Sequence, residues 1–234
     1  MGPHRMEIPG AAARRFLWTS VAITGVLGVL SALAYLVLDR DTHGGLFDYF
    51  YVGTEMNLPT WWNVMLLAAI AVTATLAAAV FAAERLGWAA IAATACFLSL
   101  DEGSRLHENA GLAPAYLGLS VPTFAWVAVG AVVAPVGVLV LAFATRRLPR
   151  RTRRALAACV TVYIAAALGL EAVSGYVIEQ GGWGTYLALT HIEEMLEMTA
   201  CAFAVHAILA RLLPLRVEAP GRGGPASRSA REVG

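Results

Sequence analysis

Apolar positions in this chain come in long unbroken runs, without the alternation of half-buried strands or the three-and-four spacing of surface helices. A helix needs about 20 mostly apolar residues to cross a bilayer. Six segments meet or approach that length: 16–38, 62–83, 88–109, 123–145, 155–179 and 185–213. The pattern predicts an all-α fold, a polytopic membrane helical bundle of six transmembrane helices spanning 16–213. A cytoplasmic N-terminal segment, 1–15, precedes it. A tail, 214–234, follows, rich in Gly, Pro, Ser and Arg and too poor in apolar residues to fold, so disorder is expected. Pro59 and Thr60 are expected to start the second helix, and Pro135 to kink the fourth. Arg14 and Arg15 before the first run, and Ala32-Leu33-Ala34 within it, resemble a signal peptide. With further spans following, an uncleaved first helix is the expectation.

Composition sharpens the picture. The chain is 59% hydrophobic and 14% charged. A soluble domain carries about a quarter charged residues, so much of this surface is expected to face lipid. There is no lysine, and of the arginines all but Arg40 and Arg105 fall on one side of the spans once the N-terminus is placed inside. By the positive-inside rule both termini are cytoplasmic, and a bacterial inner membrane is the expected location. Arg146, Arg147, Arg150, Arg151, Arg153 and Arg154 crowd one inner loop. Anionic lipid headgroups are its expected partner, and no nucleic acid. Cys96, Cys159 and Cys201 form no CxxC pair and read as small buried hydrophobes.

The acids partition the other way. Asp39, Asp41 and Asp48 belong to an outer loop, and Glu179 to an outer helix end. Asp101 and Glu102 in the third segment, Glu171 in the fifth, and Glu193, Glu194 and Glu197 in the sixth lie within apolar runs. At ~1.5 Å rise per residue, Asp101, Glu171 and Glu194 all lie about 12–13 Å below the outer ends of their helices. On regular helices Asp101, Ser104 and Glu108 share one face, with His107 and Arg105 on its flanks. His191, Glu194 and Glu197 share another, flanked by Glu193. Glu171 and Ser174 share a third with Gly175, which admits a close neighbour. The stripes are expected to converge in the bundle interior. A charged acid at mid-membrane costs about 2.5–3.5 kcal/mol on the mildest scale, so the set demands protonation, water or metal cations.

Carboxylates and imidazoles from facing helices are how di-iron and di-manganese bundles hold their ions. The candidate ligands are Asp101, Glu102, His107, Glu108, Glu171, His191, Glu194 and Glu197, with Glu55, Ser104, Arg105 and Glu193 as auxiliaries. Glu55 is a candidate lid residue, on an outer loop whose Tyr49, Tyr51, Trp61 and Trp62 suit the membrane interface. The Glu-x-x-His order of the di-metal bundles is absent, so the likeness is in ligand type alone. A divalent metal ion (Fe, Mn or Zn) is expected, in a membrane enzyme acting on a lipophilic small-molecule substrate as hydrolase or oxidoreductase. No residue is singled out as catalytic. Ser99 and Ser104 lack the Gly-x-Ser-x-Gly elbow of a serine nucleophile. The alternatives are a proton- or cation-coupled transporter and a non-catalytic sensor or assembly subunit. Against transport, the inner halves of the spans lack matching acids.

Three motifs stand together: Glu-x-Asn-x-Pro-Thr-Trp from Glu55 to Trp61, Ser-Leu-Asp-Glu with His-Glu from Ser99 to Glu108, and Glu-Glu-Met-Leu-Glu-Met from Glu193 to Met198. In this the chain resembles a group of uncharacterised bacterial multipass membrane proteins. The resemblance covers most of the spanning region and implies a multipass membrane protein without implying an activity.

Overall fold

A computed structural model describes residues 10–38, 40–116, 118, 120 and 122–213. The expectations for 1–9 and 214–234, for Asp39, and for Arg5, Arg216, Arg222, Arg228 and Arg231 lie outside the described residues. Among the described residues every regular element is helical. They are α1 (Gly10–Val37), α2 (Arg40–Phe50), α3 (Leu58–Val80), α4 (Arg85–Ser104), α5 (Leu106–Ala110), α6 (Leu112–Tyr116), α7 (Ala125–Ala144), α8 (Arg150–Ile164), α9 (Glu171–Glu179) and α10 (Trp183–Leu212). A π-helical segment, Ala165–Leu170, joins α8 to α9 in one continuous rod.

Five helices are long and apolar enough to cross a membrane: Gly10–Val37, Leu58–Val80, Ala125–Arg147, Arg150–Glu179 and Trp183–Leu212. The sixth expected span, α4, has 20 residues but ends in Asp101 and Glu102, and these acids dilute its apolar content. α10 is the hub. It packs against α1, α3, α8, α9 and the π segment, while α3 and α4 lie along each other. The shared core contains Leu66, Leu67 and Ile70 of α3, Trp88 of α4, and Met198, Val205 and Ile208 of α10. Ala74, Ala77 and Ala202 are wholly buried between them. Such small residues let backbones approach and dispersion hold the contact.

The helix ends follow local chemistry. Asn57 caps α3, its side-chain oxygen accepting from the Thr60 N–H at 2.9 Å, with Pro59 in the first turn where a missing N–H does no harm. α7 runs through Pro135. At the arginine-rich end, Glu84 accepts from Arg211 at 2.8 Å and from the Trp88 indole at 2.9 Å, tying α4 to α10. Cys96, Cys159 and Cys201 are free thiols; Cys201 is buried as expected, whereas Cys159 is half-buried and Cys96 lies exposed on α4.

Two expectations are corrected here. The stretch expected as outer loop contains helix α2. The third segment is not one helix to Asn109. It stops at Ser104, Arg105 takes a left-handed backbone (φ 58°), and α5 sets off anew. Asp101 supports the break. Its carboxylate accepts the backbone N–H of His107 at 2.7 Å, serving a donor that the new helix leaves free.

Candidate carboxylate cluster

The break at Arg105 redistributes the acids into two tiers. The outer tier gathers around Arg105, which pairs with Glu55 from the α2–α3 loop and with Glu108. Beside it Asp101 accepts from His107 Nδ1 at 3.2 Å, which leaves Nε2 facing Glu55 at 3.7 Å. The His107 ring lies against Trp126 of α7, ring centres 4.8 Å apart.

The inner tier comes from α4, α9 and α10. Glu194 feels the charges of Glu197, Glu102 and Glu171, and Glu197 those of Glu102 and Glu171. Glu193 and Glu171 lie close enough to share a hydrogen bond, and the Trp126 indole lies within reach of Glu171. Two carboxyls hold that arrangement by sharing a proton, or separate slightly to take a cation between them. Asn63 of α3 is fully buried. Its amide nitrogen is 3.5 Å from Glu197 Oε2, it also serves Glu102, and its amide oxygen has no hydrogen-bond partner. Glu193 and Glu197 are only 5% and 6% exposed, so lipid does not reach them. Glu197 lies near the middle of the 30-residue α10. Beyond it towards the arginine-rich end come Met198, Cys201, Ala202, Val205 and Ile208, each 3% exposed or less. A dry plug closes the cluster on that side.

Glu102, Glu171, Glu194 and Glu197 feel one another's charge, as does Glu193, an auxiliary in the sequence reading, but no three of them offer ligand atoms within 4.8 Å of one another. Asp101, His107, Glu108, Glu55 and Arg105 form the adjoining tier. Two candidates go elsewhere. His191 faces α1, its Nδ1 3.5 Å from Ser31 Oγ, because the stripe through Glu194 and Glu197 is narrower than the helical wheel suggested. Ser104 is exposed and donates back to the Leu100 carbonyl at the frayed end of α4. Ser99 donates to the Val64 carbonyl at 3.1 Å. Asn63, Trp126 and Tyr163, whose phenol lies near Glu197, stand at the cluster without any motif to mark them. Asn63 gave one signal, a lone amide in an apolar run.

Among the described residues, the group whose ligand atoms approach one another within 4.8 Å is Glu55, His107 and Glu108. Arg105 already engages both of its carboxylates, so a metal there must displace a guanidinium. Burial and the charge of Glu108 outweigh Arg105 and His107 and push the Glu55 carboxyl up to about 7. Burial resists the charging of His107, but its hydrogen bond to Asp101 and the charges of Asp101, Glu55 and Glu102 prevail and raise it. Both groups bind protons more tightly folded than unfolded. The stability Glu55 contributes is complete below its ordinary 4.5 and is lost as pH rises through about 7; His107 adds to the loss above its ordinary 6.5. Thermal stability in detergent should therefore fall between about pH 5 and about pH 8, and Glu55→Gln should flatten the fall. An unchanged slope in Glu55→Gln would refute the assignment.

Fold and site define a class: an all-helical protein with five membrane-length apolar helices and carboxyls from three helices gathered in its interior. The chain belongs to the family of domains of unknown function designated DUF8692, whose profile matches residues 15–212. No curated protein and no solved structure matches it.

Proposed function

We propose that this chain is an integral protein of the bacterial inner membrane with six spans, α4 completing the set, and with both termini and the arginine-rich end in the cytoplasm. The inner carboxyl cluster then lies in the extracytoplasmic half, and we read it as the divalent-metal centre of an enzyme acting on a lipophilic substrate.

The observation that carries this reading is the surroundings of Asn63. A wholly buried amide oxygen without a partner stands among carboxyls whose strongest electrostatic neighbours are other carboxyls. An orphaned buried acceptor costs about 1–3 kcal/mol, and uncompensated acids in an apolar interior cost more. A divalent cation relieves both, and a set of amide and carboxylate oxygens without an imidazole suits Mn better than Fe or Zn. Glu102, Glu171, Glu193, Glu194 and Glu197, with Asn63, are the residues that would hold it. Such an ion supplies Lewis-acid or redox chemistry to a substrate entering from the lipid. The plug from Met198 to Ile208 favours a pocket over a conduit.

One observation favours a second reading. The close approach of the Glu171 and Glu193 carboxyls suits a pair that shares a proton, as in a proton-coupled transporter. Metal analysis of the purified protein separates the two. The enzyme reading expects about one or two ions per chain, reduced by Glu171→Gln and by Glu194→Gln. Metal-free protein that nonetheless carries proton or cation flux into liposomes, abolished by the same substitutions, would replace it with transport.

A further inference from the structure

The rod that carries Glu171 is not a regular α-helix. Its π-helical segment, Ala165–Leu170, ends immediately before Glu171, and Tyr163 lies just before the segment begins. On a straight α-helix the eight steps from Tyr163 to Glu171 turn the chain by about 800°, which leaves the two side chains about 80° apart. A π-bulge acts as one residue inserted into an α-helix, so the same steps turn the chain by about 700°, within about 20° of two full turns. Both residues then face α10. The neighbours agree: the Tyr163 phenol lies near the Glu197 carboxyl, and Glu171 lies near Glu193 one α10 turn away. Nothing else in the segment explains the irregularity. It contains no proline, and its Gly169 has open space around it.

We infer that the π segment is a register device of the carboxylate site, and that Tyr163 is a positioning residue whose phenol orients the Glu197 carboxylate. The register claim stands on geometry alone; the role of Tyr163 in ligand binding rests on the metal reading above. Glu197 has the Asn63 amide nitrogen 3.5 Å from its Oε2 and the Tyr163 phenol nearby. Partners of this kind fix which carboxylate oxygen is offered to an ion, and their loss typically costs about 10–100-fold in metal affinity.

The test has two arms on the full-length protein. The first needs no metal. In a background with Cys96, Cys159 and Cys201 replaced by serine, two cysteine pairs are made, Tyr163→Cys with Glu197→Cys, and Glu171→Cys with Glu193→Cys. A short bifunctional thiol reagent should bridge each pair. Deleting Ala167 restores an unbroken α-helix and turns one side of the segment by about 100° relative to the other, so at least one bridge should be lost. Both bridges persisting would overturn the register claim. In the second arm Co²⁺ is titrated into wild type and Tyr163→Phe, following visible absorption. Tyr163→Phe should bind about 10–100-fold more weakly with a shifted Co²⁺ band, while the metal-free melting temperature stays within a few degrees. Unaltered affinity and band would overturn the role of Tyr163. A wild type that takes up no Co²⁺ would overturn that role together with the metal reading, and the crosslinks would still decide the register.

Discussion

The double substitution Glu194→Gln with Glu197→Gln is expected to abolish divalent-metal binding, weakening it by at least about 100-fold, while making the metal-free protein more stable. The two effects have one cause. Both carboxyls sit among other carboxyls, and Glu197 is nearly sealed from solvent. Without an ion that concentration of acid is a burden on the fold, and two neutral amides of similar shape lighten it. With an ion the same acids are the attraction. Wild type should gain stability with added Mn²⁺ or Zn²⁺, by about 2.7 kcal/mol at one hundred times the dissociation constant. The variant should melt higher than metal-free wild type and show no such gain. A variant that melts lower and still responds to metal would mean that the two glutamates are structural partners.

The second large effect is expected at Gly175. A Cβ there would stand 2.8 Å from the Phe124 backbone nitrogen and in contact with Thr123 Oγ1, at the point where α9 passes the start of α7. Thr123 also donates to the Ala172 carbonyl at 2.9 Å, so the seam is closed on both sides. Backbone cannot swing aside as a flexible side chain can. Gly175→Leu should cost about 3 kcal/mol or more, and Gly175→Ala about 1–2 kcal/mol. The consequence reaches the cluster, because α7 carries Trp126 to Glu171 and His107. Unfolding in detergent checks the stability, and Mn²⁺ titration the site. A Gly175→Leu protein as stable as wild type would show that this seam opens freely.

The long apolar runs were legible by length and composition alone, and the stretches expected at 16–38, 62–83, 123–145, 155–179 and 185–213 all correspond to membrane-length helices in the fold. Depth and helical period put Glu171 near the level of Glu194 and Glu197, and their mutual charge effects accord with it, since α10 is one regular helix through its acids. What the period could not show was where it fails. The left-handed turn at Arg105 carries no proline or glycine of its own, and it moves Glu108 away from Glu102 into an ion pair with Arg105. The π segment is equally silent, a run of alanine, leucine and glycine that reads as ordinary helix. His191 shares its helix with the glutamates, yet Ser31 on α1 meets it, and neighbours across a bundle are not written in one helix's spacing. Glu55 could be proposed as a lid residue but its partner could not, because Arg105 comes to it only through the break.

The most direct trial of the account is the location of a bound ion. Crystals of the full-length protein soaked in Mn²⁺ should give an anomalous scattering peak among Glu102, Glu194, Glu197 and the Asn63 amide oxygen, absent in Glu194→Gln with Glu197→Gln. Ordered density for those side chains with no peak, or a peak confined to Glu55, His107 and Glu108, would contradict it.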